Sequence, residues 1–264
     1  MPEMNPTPRI PPQPRSVALV LGAPIDVITP SQAVHRISGW AAAHESRVVC
    51  ICNVHSVVTA TNNASFMGVI QRADMATPDG APVAWMLQRL GAFDQPRVSG
   101  PDLMAHYCNH AAAAGQSIFL FGSTPETLTR LQARLLACWP TLSIAGAISP
   151  PFRPLSPAED DAIVQTINAS GAGTVWVSLG CPKQEQWMDT HRGRIRSVMV
   201  GVGAAFDFHA GTVARAPRWM RDNGLEWLHR LATEPRRLWK RYAVTNSAFI
   251  VLAIRQLVSK QRGL

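Results

Sequence analysis

Residues 174–192 read Thr174-Val-Trp-Val-Ser-Leu179-Gly180-Cys-Pro182-Lys-Gln-Glu185-Gln-Trp-Met-Asp-Thr-His-Arg192. A short aliphatic and β-branched run stops at Gly-Cys-Pro, and a polar stretch with spaced apolar residues follows. This is a strand feeding a helix through a tight turn. The same unit recurs on either side of it. Candidate strands are Val17–Leu21, Arg47–Cys52, Ser117–Phe121, Leu142–Gly146, Thr174–Leu179 and Ser197–Val202. Helical windows fall between them at Ser31–His44, His55–Arg72, Ala81–Leu90, Asp102–Ala114, Pro125–Ala137, Pro157–Asn168 and Pro182–Arg192. Ser31 after Pro30, Ser123-Thr124-Pro125, and Ser156-Pro157 with Glu159 close behind supply helix-start chemistry. The alternation predicts an α/β fold: a Rossmann-like, mostly parallel sheet with helices on both faces.

The texture changes after Gly211. Residues 215–261 read as helices only, broken near Gly224 and Pro235, with Trp219, Trp227, Trp239 and Tyr242 set among arginines. Charge changes at the same place. Residues 212–264 hold 11 Lys and Arg against Asp222, Glu226 and Glu234, which accounts for the whole net charge of +8. A neutral body with a basic helical end suits an anionic partner: phospholipid, a diphosphate or nucleic acid. The chain therefore divides into a Pro-rich arm at 1–16, read as flexible, an α/β domain at 17–211 and a helical appendage at 212–264. The arm, with six prolines in its first fourteen residues, lacks an export signal's basic-then-apolar pattern. No run reaches about 18 unbroken apolar residues. The run Ala248–Ile254 covers only about two helical turns, roughly 10 Å, so the tail is expected on a membrane surface or packed on the body. Five cysteines, without small-scaffold spacing, suit a reducing compartment and buried thiols.

Several motifs carry less than they promise. Gly201-Val-Gly203-Ala-Ala-Phe206 starts like a dinucleotide fingerprint, but Phe206 replaces the third glycine and no ribose-binding acid follows. An epimerase-type enzyme would need that fingerprint. His106 and His110 lie one helical turn apart without an acid between them, which fits polar helix contacts better than a metal site. Cys50 and Cys52 alternate to one face of a strand and read as structural thiols. Neither a phosphate loop nor a Gly-x-Ser-x-Gly elbow is present.

Asp79 stands in Thr77-Pro78-Asp79-Gly80, just beyond an apolar stretch at 73–76. That places a carboxylate at the carboxyl edge of the sheet, where open α/β folds bind ligands. Asp-Gly is also ordinary turn chemistry. A single carboxylate there suits proton abstraction from an attacking hydroxyl. Asn53 ends one strand and can cap the next helix or hydrogen-bond a ligand. Arg97-Val-Ser-Gly100-Pro-Asp102-Leu103 joins a cation, a glycine and a helix start, a combination that favours phosphate oxygens and also makes a plain N-cap. Gly180-Cys-Pro182-Lys183-Gln184-Glu185 repeats that design, with a salt-bridged surface turn as the competing reading.

With these residues the chain resembles the WecG/TagA/CpsF glycosyltransferases, glycosyltransferase family 26. The matching text is Asn53; Pro78-Asp79-Gly80; Arg97 to Leu103; Phe119-Leu-Phe-Gly122; Gly180-x-Pro-Lys183-Gln184-Glu185; Gly201-x-Gly-Ala-Ala-Phe-Asp207 with Gly211; Arg215-Ala-Pro217; and Glu226-Trp-Leu-x-Arg230-Leu with Pro235 and Arg237. The matches run in order from about residue 17 to residue 242. The resemblance implies an inverting, metal-independent enzyme that moves a hexose (glucose, N-acetylmannosamine or a uronic acid) from a UDP-sugar to a polyprenyl-diphosphate-linked sugar, in exopolysaccharide or other surface-polysaccharide synthesis. Asp79 corresponds to the catalytic base. Asn53 and Gln184 correspond to polar pocket residues and Asp207 to a carboxylate near the donor. Arg230 and Arg237 correspond to appendage cations that reach a diphosphate, and Arg241 shares a helix face with Arg237 at i and i+4. Gly80, Arg97, Gly100, Asp102, Gly122, Lys183 and Glu185 complete the expected substrate-binding set. No metal ligands and no cofactor are implied, since the UDP-sugar is a substrate. The expected location is cytoplasmic, peripheral on the inner face of the membrane, with the appendage against anionic lipid. No nucleic acid is expected, and self-association is left open. Two positions depart from the pattern: Ile51 stands where many members carry Thr, and Lys240 takes the place of a third appendage arginine. Asn53-Val-His55 resembles the exopolysaccharide branch. The rival from another class is a non-catalytic basic module that binds nucleic acid or anionic lipid.

Overall fold

The structure, a computed structural model, describes residues 15–262; the remaining positions of the arm, 1–14, lie outside the described residues. Six strands form one parallel sheet: β3 (Arg47–Cys52), β4 (Met75–Pro78), β5 (Ser117–Gly122), β6 (Ser143–Ile148), β7 (Thr174–Ser178) and β8 (Val198–Gly201), in the order β4-β3-β8-β7-β5-β6. The first candidate strand, β1 (Val17–Val20), is outside this sheet. It pairs antiparallel with β2 (Ala23–Asp26), a short strand the sequence reading passed over.

Side-chain alternation divides the interior into two layers. Val48, Cys50 and Cys52 of β3 face one core while Val49 and Ile51 face the other. Layer one is built with α2 (Val54–Asn62), α3 (Ala64–Arg72), α4 (Ala81–Arg89), α7 (Pro157–Ala169) and α8 (Lys183–Thr190). Layer two is built with α1 (Pro30–Ala42), α5 (Gly100–Ala114), α6 (Pro125–Cys138) and α9 (Ala205–Ala210). Both faces are thus covered, as continuous apolar parallel strands require.

Local sequence explains most boundaries. Thr29, and not Ser31, caps α1, in a reciprocal box with Gln32; Ser156 and Glu159 form the same box at α7. The expected long helix at 55–72 is two helices, because the Asn63 side chain accepts from Phe66 N and starts a new one. The thiols of Cys50, Cys52 and Cys108 are buried, whereas Cys138 is exposed.

Beyond Gly211 come α10 (Arg218–Asp222), α11 (Glu226–Thr233) and α12 (Pro235–Arg262). The apolar run Ala248–Ile254 lies inside a much longer helix. α12 is one continuous helix of 28 residues, about 42 Å at 1.5 Å per residue, and Leu238–Gln261 is long and apolar enough to cross a membrane by length and composition. Counting only unbroken apolar residues missed this, because a helix carries Thr245, Ser247 and Arg255 without interruption. One face of α12 packs on the body: Phe249 and Ala253 enter the first core layer. The Gln256 amide accepts from Leu21 N and donates to Leu19 O, and Lys260 Nζ donates to Leu90 O.

Arg15, at the edge of the Pro-rich arm, is bonded to the body. Asp26, only 1% exposed, accepts three hydrogen bonds from the Arg15 guanidinium at 2.9–3.1 Å and one from Ala76 N at 2.6 Å. It thereby ties the β1–β2 hairpin to β4, the strand that ends at the candidate base. Asp26→Ala leaves the Ala76 N–H unpaired and removes the carboxylate partner of a half-buried guanidinium, which keeps only its bond to Ala73 O. It should lower unfolding free energy by about 2–3 kcal/mol, read as a lower urea midpoint.

Candidate active site

Five parallel strands release their carboxyl ends at one place. Asn53 follows β3, Asp79 follows β4, Ser123 follows β5, Leu179 follows β7 and Val202 follows β8. All five residues line a single cavity of about 660 Å³, the size of a small-ligand site. The β5 turn is tight: a Cβ on Gly122 would lie 2.3 Å from Ser178 O, and Ser123 holds a left-handed φ of 60°. Gly122 therefore shapes the rim without lining it.

Asp79 is fixed from both sides. Its N–H donates to Cys52 O at 3.0 Å, and Val98 N donates to Pro78 O at 2.9 Å, which seats Arg97 beside it. Asn53 caps α2 by accepting from Ser56 N, and it lines the cavity together with Asp79. Burial, with the nearby charge of Glu226, pushes the Asp79 carboxyl up to about 6; Arg97, Asn53 and Arg230 hold it from rising further. The residue as a whole is half-buried, because its carboxyl faces the cavity.

On the far wall, Gln184 is held by its neighbours. Its Oε1 accepts from Gly203 N at 3.0 Å and its Nε2 donates to Glu185 Oε1 at 2.9 Å. Gly201 leaves room for this amide, since a Cβ there would lie 3.1 Å from Gln184 Nε2. The glycine pair that looked like a dinucleotide motif thus serves side-chain packing. Glu185, 1% exposed, lies behind Gln184; burial pushes its carboxyl up to about 7 despite the Gln184 hydrogen bond.

The appendage closes the cavity. Glu226, Trp227 and Arg230 of α11 and Arg241, Tyr242 and Thr245 of α12 all line it. Arg230 sits over the Phe208 ring at 5.4 Å and 3.8 Å from Glu234. The Nε atoms of Arg230 and Arg241 are buried without a hydrogen-bond partner among the described residues. α5 opens on the same space: Gly100 and Pro101 line it, and the N-cap Ser99 spends its hydroxyl on Asp102 and leaves the first N–H groups uncapped.

Of the residues singled out by sequence, the cavity brings together Asn53, Asp79, Gly80, Arg97 and Gly100 on one side. Gln184, Asp207, Arg230 and Arg241 meet them from the other. Four do not line it. Lys183 is exposed on the outer side of α8, Glu185 is behind Gln184, and Gly122 is under the rim. Asp102 is turned to Arg215, whose Nη1 and Nη2 reach its oxygens at 2.7 and 2.9 Å; burial would raise its carboxyl, but the bonds from Arg215 and Ser99 hold it at about 2. The Arg237 side chain lies outside the described residues. Sequence reading did not select Glu226, His55 or Tyr242 as site residues. For Glu226 the signal was present, as the only acid in the Glu226-to-Leu231 match.

An open parallel α/β sheet with a ligand cavity at its strand ends, holding one carboxylate of raised proton affinity and several guanidiniums, suits transfer chemistry on an anionic substrate. The chain belongs to the glycosyl transferase WecG/TagA/CpsF family, whose family model matches residues 18–263. It is thus a glycosyltransferase of a family that works in cell-surface polysaccharide synthesis.

The Asp79 carboxyl bears on stability. A buried acid whose folded-state pKa is raised stabilises the fold at low pH, and that stability is lost as pH rises through about 6. Asp79→Asn should therefore be more stable than the parent above pH 6, by about 1–2 kcal/mol because the cavity admits solvent. The gain should vanish below pH 4. The same substitution should lower turnover by about 10²–10⁴-fold. Parallel denaturant melts and rate measurements at pH 4 and pH 8 check both outcomes.

Proposed function

We propose that the protein moves a hexose from a UDP-sugar to a polyprenyl-diphosphate-linked sugar, with inversion and without a metal. Asp79 takes the proton from the acceptor hydroxyl as that oxygen attacks the anomeric carbon. The bond to UDP breaks on the opposite face, so no second carboxylate nucleophile is needed. Charge then grows on the departing diphosphate, and guanidiniums with helix N–H groups answer it.

One observation carries this reading. Asp79, with its raised carboxyl, lines one cavity with Arg230 and Arg241, whose buried Nε atoms have no hydrogen-bond partner among the described residues. The basic end of the chain is thus turned partly inward, toward a small anionic ligand. A nucleic-acid module would spread those cations over an outer surface instead. Activity in a screen of UDP-hexoses against a synthetic polyprenyl-diphosphate sugar, read by mass spectrometry, supports the proposal; no transfer with any UDP-hexose overturns it. Activity should persist in EDTA. Strict dependence on magnesium or manganese would place the charge compensation elsewhere.

For membrane association, the outward face of α12 offers a stripe of exposed apolar residues, Val244, Ile250, Val251, Ile254 and Val258. Apolar contact with lipid, helped by about 1 kcal/mol for each Lys or Arg near an anionic surface, supports peripheral binding on the cytoplasmic face of the membrane. Because Phe249 and Ala253 belong to the core, point substitutions test this better than truncation. Val251→Asp with Ile254→Asp should release the protein from anionic vesicles with little loss of transfer to a soluble acceptor. Arg230→Ala should do the reverse, cutting transfer at least tenfold while vesicle binding stays.

A further inference from the structure

Two aromatic rings of the appendage meet in the cavity wall. Trp227 of α11 and Tyr242 of α12 both line it, and their ring centroids lie 6.2 Å apart at 87°, edge to face. Arg241 covers the Tyr242 ring at 5.4 Å from its centroid, while Trp227 keeps 41% of its surface exposed. Apolar surface left to water inside a ligand cavity is surface that a bound ligand can cover with gain. Contacts on either side of Trp227 fix where it stands. Gly224 lies so close to the start of α4 that a Cβ there would be 2.7 Å from Ala81 Cβ, and Ala81 is two residues past Asp79. Glu226, the residue before Trp227, meets Arg97 Nη1 of the body at 3.1 Å. The next body residue, Val98, donates to Pro78 O, just before Asp79. α11 therefore starts at the β4 edge of the cavity, where Asp79 is. Phe152, another exposed ring of the wall, follows β6 at the opposite edge of the sheet.

We propose that Trp227, with Tyr242 set edge-on against it, is the platform on which the sugar ring of the acceptor lies. The inference rests on the reading of Asp79 as the base and of a glycosyl lipid as the acceptor. A base must touch the hydroxyl it deprotonates, so the acceptor sugar sits at the β4 edge, where α11 begins. Inversion sends the leaving diphosphate off on the face opposite the attacking oxygen. The nucleotide therefore extends away from Asp79, along the strand ends toward β6, and the rings near Asp79 are left to the acceptor. A pyranose has a face of C–H groups and a rim of hydroxyls. The C–H face packs on an aromatic ring through dispersion and through the negative charge of the ring face. The hydroxyl rim needs polar partners around that ring, and Glu226 and Arg230, one residue before Trp227 and one turn after it, line the cavity with it. The lipid tail has an apolar surface on the same side, because exposed Trp239 and Val244 flank Tyr242 on α12. Such a platform also selects. A sugar whose hydroxyls on the stacked side are equatorial lies closer to the ring than one with an axial hydroxyl there.

The test compares the full-length parent with Trp227→Leu, Trp227→Phe and Tyr242→Leu. The acceptors are farnesyl diphosphates that carry glucose, galactose or N-acetylglucosamine. UDP and bare farnesyl diphosphate, which has no sugar, are measured as competing ligands. Trp227→Leu should raise KM for the best of the three acceptors by about tenfold. It should leave the Kd of UDP and the inhibition constant of bare farnesyl diphosphate within about twofold of the parent values. Trp227→Phe should recover most of the loss, since it keeps a ring face, and Tyr242→Leu should show a smaller rise in the same KM. Trp227→Met carries the same comparison if the leucine variant melts early. An acceptor KM that does not move in Trp227→Leu overturns the inference. So does equal weakening of the sugared and the bare lipid, which would give Trp227 to the diphosphate or the tail, and so does weaker binding of UDP, which would put it on the donor side. A parent that transfers sugar to none of the three glycosyl lipids overturns the acceptor reading itself, and the platform with it.

Discussion

Three guanidiniums and two carboxylates hold the two parts of this chain together. Arg97 and Asp102 come from the α/β body, while Arg215, Arg221 and Glu226 come from the segment that follows it. Asp102 takes Arg215 in a fork-like pair, with Arg221 at 3.5 Å, and Glu226 takes Arg97. Single surface pairs contribute little, but this cluster is half-buried and shared among five groups, so losing one member leaves charges that water reaches poorly. Without it the cavity would be an open ledge at the strand ends. With it, the ledge acquires a wall that carries Arg230, Arg241 and an acid.

That wall changes the electrostatics of the ledge. Asp79 would be an ordinary exposed carboxylate at the end of a parallel strand. Enclosure by α11 and α12 withdraws water from it, and withdrawal of water favours the protonated form. The same enclosure brings the Arg230 and Arg241 side chains to the cavity wall. An anionic ligand that enters therefore gains bonds that the empty site cannot make.

The sheet was readable from the sequence because its strands are buried on both faces and read as plain apolar runs; β3 was bounded to the residue at Arg47–Cys52. β4 was seen only as an apolar stretch, since Met75–Pro78 is four residues and ends in proline, and β2 was missed for its proline and acid. α9 has six residues, too few for a periodic signal. At the site, Asp79, Asn53 and Gln184 were legible because each follows a strand end at a turn. Lys183 misled, because one residue of helix rotation separates it from Gln184, and about 100° of arc decides which of them meets the cavity. Asp102 and Glu226 were ambiguous for a deeper reason. Their partners lie 113 and 129 residues away in sequence, at Arg215 and Arg97, so no local pattern records the pairing.

α12 has two faces with competing attractions. One carries Phe249 and Ala253 into the protein core; the other shows Val251 and Ile254 to the outside. During synthesis this segment emerges after the α/β body, and by length and composition alone it is long and apolar enough to cross a membrane. Arg255, within that stretch, raises the cost of insertion by about 2.5–3.5 kcal/mol were it to sit at the bilayer centre. The seat that Phe249 and Ala253 find in the core therefore competes with the apolar outer face, and Lys240, Arg241, Arg255 and Lys260 all weigh on the side of the protein.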